Sequence, residues 1–132
     1  MRSLTFFSTA TAAMTADEFA ALARECAERE SHVGVTGMLL HKSGDFLQVI
    51  EGSHSVIRDM YARISADRRH TNIRNISERT IPSREFDGAA VSFKNLDGLP
   101  ADTPFLNPFS YATFEAEPEL ALLVLEYFFR NR

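Results

Sequence analysis

The spacing of hydrophobic positions changes several times along this chain, and each change marks an element. "RSLTFF" (Arg2 to Phe7) is a short apolar, aromatic and β-branched run, which predicts a strand. In the "MTADEF" that comes later, Thr15 and Glu18 have capping-box spacing, and Met14 with Phe19 the spacing of a hydrophobic staple. A helix starting after Thr15 puts Phe19, Leu22, Ala23 and Cys26 on one face, and it should end near Glu30, before Gly34. "GVTGMLLH" and "DFLQVIEG" read as two strands joined at "KSGD", where Ser-Gly signals a hairpin. A second helix from about Ser55 turns Val56, Met60, Tyr61 and Ile64 inward. "NIRNISERTI" is a weaker, polar strand expected near an edge, and "GAAVSFK" a strand of small residues.

The order β-α-β-β-α-β-β is that of a split βαβ. It predicts an α+β, ferredoxin-like open sheet with one added strand and two helices on one face. After Leu96 the texture changes. "DGLPADTPFLNP" is proline-rich and expected to be irregular, and "PELALLVLEYFFR" predicts a last helix opening with Pro118 in its first turn. That helix is apolar nearly all round, so one side should cover the bare face of the sheet and the rest should meet a loop or another chain. Residues 1–96 therefore read as one domain, and 97–132 as a connection and C-terminal helix belonging to the same globular unit.

Composition narrows the function. With 132 residues, 45% hydrophobic and 24% charged, the chain suits one soluble domain with a single core. A net charge of -4 without a basic stripe argues against nucleic acid as partner, and the basic run Arg68, Arg69 and His70 reads as a solvated turn. The single cysteine, Cys26, excludes an internal disulfide and a Cys-rich metal site. No signal sequence and no apolar run near the roughly 20 residues of a membrane span are seen, so a cytoplasmic location is expected.

The candidate chemistry centres on Gln48. On its strand Phe46, Gln48 and Ile50 point one way, and Leu47, Val49 and Glu51 the other. A glutamine buried under helices needs partners for its carbonyl and its amide. Backbone groups near a helix end can supply them, and so can a polar ligand held between the helices; both readings stay open.

The stretch "VTGMLLHKSGDFLQVIEGSHSVIRDMYARISADRRHTNI" resembles the centre of a BLUF domain, the family of blue-light sensors using flavin. Gly34 to Gly37 match G-[IV]-T-G, Gly44 to Gly52 match G-x-F-[LV]-Q-x-[LI]-E-G, and Asp67 to His70 match D-x-R-H. The resemblance implies the same ferredoxin-like fold, with the flavin ring (FAD, or FMN) between the two helices. It places Gln48 on the glutamine that bonds flavin N5 and O4. It places Arg63 and Asp67, i and i+4 on the second helix, on positions reaching the far side of the ring and the ribityl chain. Phe46, Ile64, Val35 and Leu22 would be apolar walls.

The chain also departs from the family pattern. Phe6 stands where the photoactive tyrosine of Y-x-S is expected, with Ser8 retained. Glu30 replaces the asparagine that grips flavin O4 and N3, unless a shifted helix end brings in Ser31 or His32. Ala89 and Val91 occupy the tryptophan and methionine positions of F-x-x-W-x-M. The resemblance thus implies a degenerate member with a lost or altered photocycle. The alternative is a flavin-free interaction module whose cleft is closed by side chains. An enzyme is not expected, because His41, His54 and His70 have no nucleophile at a defensible spacing and no phosphate loop follows the first strand. Homo-oligomerisation through the last helix or the sheet face, and an unidentified protein effector, complete the expectations.

Overall fold

The computed structural model describes residues 1–88 and 90–132. Strand β1 (Arg2–Ala10) leads into α1 (Ala16–Ser31), the hairpin β2 (Thr36–Lys42) and β3 (Asp45–Gly52), then α2 (His54–Ala66), β4 (His70–Thr80) and β5 (Val91–Asn95). Two further helices, α3 (Tyr111–Ala116) and α4 (Pro118–Arg130), close the chain. The strands form one sheet in the order β4-β1-β3-β2-β5, antiparallel except for the parallel pair β2 and β5. This is the predicted α+β, ferredoxin-like arrangement with an added strand, and the polar β4 does lie at an edge.

Local chemistry sets the element ends. Thr15 Oγ1 accepts from Glu18 N at 3.1 Å and Glu18 Oε1 accepts from Thr15 N at 3.0 Å, which completes the capping box. The hairpin turns on Ser43 (φ 51°) and Gly44 (φ 83°), two successive left-handed residues as a type I′ turn requires. Gly37, the last glycine of G-V-T-G, allows a close approach between strands: a Cβ there would overlap the Val49 carbonyl oxygen.

The two faces of the sheet carry separate cores. On one, α1 packs Phe19 and Ala23 against Leu39 and Phe46, while α2 packs Ile57, Met60 and Ile64 against Leu4, Phe6, Val35 and Ile50. On the other, α4 lays Ala121, Val124, Leu125 and Phe128 over Phe7, Met38, Leu40, Leu47 and Val49. The C-terminal helix therefore covers the face the first two leave bare, as its pattern predicts.

Three boundaries depart from the sequence reading. β1 runs on to Ala10 because Thr9 and Ala10 still pair with β4. β5 begins at Val91 rather than Gly88, and Ala89 lies outside the described residues. The proline-rich connection is not wholly irregular: Ser110 caps α3, whose Phe114 is fully buried. Together Leu106, Phe109, Tyr111 and Phe114 wrap α4, and Phe105 stands 5.3 Å from Tyr127, ring centre to ring centre. The loop thus covers much of the apolar remainder of α4, leaving Leu123 exposed at 53%. No helix among the described residues is long and apolar enough to cross a membrane.

Phe114 and Leu123 make a contrasting pair. Phe114→Ala should lower the urea unfolding free energy by about 3–5 kcal/mol, the usual cost of emptying a buried aromatic site. Leu123→Ala, measured at a concentration where the chain is monomeric, should change it by no more than about 0.5 kcal/mol. A near-neutral Phe114→Ala would show that the connecting segment is not part of the core.

Candidate functional site

Because α1 and α2 cross the same sheet face side by side, a slit opens between them. Its walls are Leu22, Cys26 and Arg29 from α1 and Ile64 from α2, over a floor of Ser8, Leu39, Phe46 and Gln48. Asp67, Arg69 and His70 close the end where α2 turns into β4. Its empty volume, counted out to the open mouth, is about 390 Å³ and little of it is enclosed. That combination describes a narrow slit.

Gln48 lies on the floor, 6% exposed, and its Nε2 donates to Glu30 Oε1 across a long 3.5 Å. Glu30 is fully buried at the last turn of α1, and its Oε2 has no hydrogen-bond partner among the described residues. Burial pushes its carboxyl up to about 7, against smaller opposing effects of Arg29 and of the bond from Gln48. The helix does not shift to bring in a substitute, since Ser31 and His32 both face solvent.

The mouth is held by ion pairs. Arg69 reaches Glu25 of α1 at 2.9 Å and Asp67 at 2.6 Å, and so spans the two helices. Its hydrogen bonds hold the Asp67 carboxyl down at about 2. His70 Nε2 lies 2.5 Å from the Ile64 carbonyl, which can only accept, so that nitrogen carries the proton. Its Nδ1 then accepts from the Ser8 hydroxyl at 2.9 Å when the ring is neutral. Cys26 is kept a thiol, pushed up to about 11 by burial.

Of the residues singled out from the sequence, Leu22, Phe46, Gln48, Ile64 and Asp67 meet in the slit, with Glu30 joined to them through Gln48. Val35 and Val91 are buried instead in the layer beneath α2, away from the slit walls. Arg63 is exposed and lines a different hollow with Val33, Val56, Asp59 and Met60. Arg63 and Asp67, expected to reach the ring together from one face of α2, are thus separated: Asp67, the C-cap, lines the slit and Arg63 the other hollow. Phe6 is Gln48's cross-strand partner, and its ring meets Tyr61 edge-on at 5.4 Å. The sequence reading missed Arg69 and His70 as lining residues. The D-x-R-H match contained both, but the basic run was read as a solvated turn. Arg29 and Leu39 carried no signal beyond their place in a helix and a strand. No His, Cys, Asp and Glu cluster suited to a metal occurs among the described residues.

The slit offers apolar walls, the Gln48 amide on its floor with the Glu30 carboxyl behind it, and a guanidinium at its mouth, a donor set that suits a flat, polar-edged ring. Comparison with known proteins agrees. The family model described as BLUF, sensors of blue-light using FAD, matches residues 1–92. The chain belongs to the BLUF family of flavin-binding blue-light sensors.

Among curated relatives, the photoactivated adenylate cyclase subunit beta of Euglena gracilis is 34% identical over 88 residues, covering 63% of this chain and 10% of that protein. The subunit beta of Euglena longa is 30% identical over 86 residues, covering 65% of this chain and again 10% of the relative. The chain thus spans about a tenth of these relatives. Of solved structures, BlrB, a BLUF protein in its dark state, superposes with a TM-score of 0.72 at 29% identity, over 92% of this chain and 93% of that one. The photo-activated state of BlsA gives 0.76 at 19% identity, over 97% and 94%, and shows the fold alone.

Glu30 has a measurable signature before any ligand is added. Its folded-state pKa is raised from 4.5 to about 7, so between those values the folded chain holds a proton the unfolded chain has released. Stability is therefore full below 4.5, falls as pH rises through that window, and levels off above about 7. Glu30→Gln should remove that slope, gaining up to roughly 3 kcal/mol on the parent between pH 4.5 and pH 8. Urea melts at the two pH values with parallel pH dependence would show that Glu30 does not titrate in this way.

Proposed function

We propose that this chain is a flavin-holding sensor module whose slit takes the ring of FAD or FMN and whose photocycle is lost or altered. The observation that carries the reading is the slit itself: narrow, walled by Leu22 and Ile64 over a floor of Phe46 and Gln48, with the Glu30 carboxyl behind Gln48. Gln48, Glu30, Asp67 and Arg69 would hold the polar edge; Arg63 is left out of this set because it lies on another surface. When bound, a flavin supplies blue-light absorption and, once excited, a strong electron acceptor. Phe6 beside Gln48 has no hydroxyl proton to give and is far harder to oxidise than tyrosine, so the floor of the slit lacks a donor where the family places one.

A second reading keeps the fold and omits the flavin. It is favoured by the bridge from Glu25 through Arg69 to Asp67, which closes the mouth without any ligand. In that case the domain acts through its surface alone. Either way the output is proposed to pass to a protein effector, and the domain itself is read as a sensor, not an enzyme. The exposed Leu123 of α4 is proposed to mark the contact with a second copy.

An absorption spectrum of purified protein mixed with flavin and then desalted tests the first reading. Retained flavin absorbance is expected, with no reversible red shift under blue light. Gln48→Ala should weaken binding about 10- to 100-fold, the loss of one buried polar contact. Protein that keeps no flavin supports the second reading; a reversible red shift would contradict the loss assigned to Phe6. For assembly, light scattering at about 100 µM, far above a micromolar dissociation constant, should return the mass of a dimer, and Leu123→Glu should return a monomer. A monomer in the parent would remove α4 as a self-contact.

A further inference from the structure

The carboxyl of Glu30 is isolated in an informative way. It is fully buried, one oxygen has no partner among the described residues, and the other meets only the long contact from Gln48 Nε2. It sits in the last turn of α1, where the helix dipole disfavours a negative charge. The charged and titratable groups around it are few. Arg29 and Cys26 share its helix, while Asp67, Arg69 and His70 stand across the slit. From the strands beneath, Leu39 and Gln48 point into the slit and neither titrates; Glu51 lies on the opposite face of β3. Arg69 is already engaged by Asp67 and Glu25, and no salt bridge reaches Glu30 among the described residues.

We propose that Glu30 works in this site as a neutral acid, presenting one donor and one acceptor to the adjacent C=O and N–H groups of a cyclic imide edge, so that ligand and proton are bound together. This deepens the flavin reading of the slit and rests on it. A carboxylic acid and a carboxamide offer the same donor-acceptor pair, whereas a carboxylate can only accept and would face the imide carbonyl with like charge. The substitution at this position thus leaves the hydrogen-bonding pattern of an amide in place at low pH and withdraws it at high pH. The raised pKa of Glu30, about 7, puts the change within reach of ordinary buffers.

The test is riboflavin binding to the intact chain across pH 6 to 8.5, followed by fluorescence quenching. Riboflavin is chosen because it has no phosphate that titrates near 6. In the parent the dissociation constant should be flat at the acid end and rise toward ten-fold per pH unit above the Glu30 titration, as linkage of one proton requires. Glu30→Gln, whose amide keeps both donor and acceptor, should bind with the acid-end affinity at every pH. A flat profile in the parent overturns the proposal while leaving flavin binding intact. A slope that persists in Glu30→Gln assigns the proton to His70 or another group and overturns it too. Absence of binding in both proteins at all pH values overturns the flavin reading and this inference together. In ligand-free protein at pH 6, a buried protonated-carboxyl infrared band should be present in the parent and missing from Glu30→Gln; its absence from the parent also counts against the proposal.

Discussion

A carboxyl group cut off from water is the constraint around which this site is arranged. Desolvating the charged form of Glu30 is costly, and the surroundings supply neither a salt bridge nor a full set of hydrogen bonds to offset it. The side chain responds by holding its proton, which turns an acceptor into a donor and acceptor. Gln48 can then be matched from α1 and from a ligand edge without two like charges meeting. The closing bridge at the mouth, Glu25 to Arg69 to Asp67, follows a different rule: it is partly exposed, salt can screen it, and its pairs are individually weak. The inner end of the slit is therefore specified by desolvation, and the outer end by an exchangeable bridge.

The rest of the fold holds that inner end in place. Gly37 lets β2 and β3 approach so closely that no side chain is tolerated there, which fixes the strand carrying Gln48. On the far side of the same strand, Glu51 accepts from Thr36 Oγ1 at 2.9 Å, Glu85 N at 3.0 Å and Phe86 N at 2.8 Å. It ties the segment between β4 and β5 to the sheet. Arg84 adds bonds to Thr36 Oγ1 and the Gly34 carbonyl. In the matched stretch "DFLQVIEG", the glutamine therefore serves the slit and the glutamate serves the scaffold.

Much of this was legible in the residues because it depends on local rules. Capping box, staple, hairpin pair and period-two alternation are encoded by near neighbours, and they located α1, the β2–β3 hairpin and the two-faced β3. Burial of Gln48 followed from the strand alternation, whereas Glu30 was placed by the family resemblance alone. The mouth was less legible. Arg63 and Asp67 look like one helical face, yet Asp67 is the C-cap held toward the slit by Arg69 while Arg63 lies on another hollow, a split the spacing alone does not reveal. Arg69 and His70 look like solvated charge because their partners, Glu25, Ile64 and Ser8, are distant in sequence or on another element. The wrapping of α4 by its own connection was hidden for the same reason, since short α3 has little periodicity to read.

The central claim is that the slit between α1 and α2 receives a flavin ring at Gln48. Its most direct test is a two-dimensional amide spectrum of 15N-labelled protein titrated with riboflavin at pH 6. The account predicts that the Gln48 side-chain amide pair shifts together with the backbone signals of Leu22, Phe46 and Ile64, while the α4 signals around Leu123 stay still. Shifts confined to α4 or to the hollow beside Arg63, or no shift at the Gln48 side chain, would contradict it.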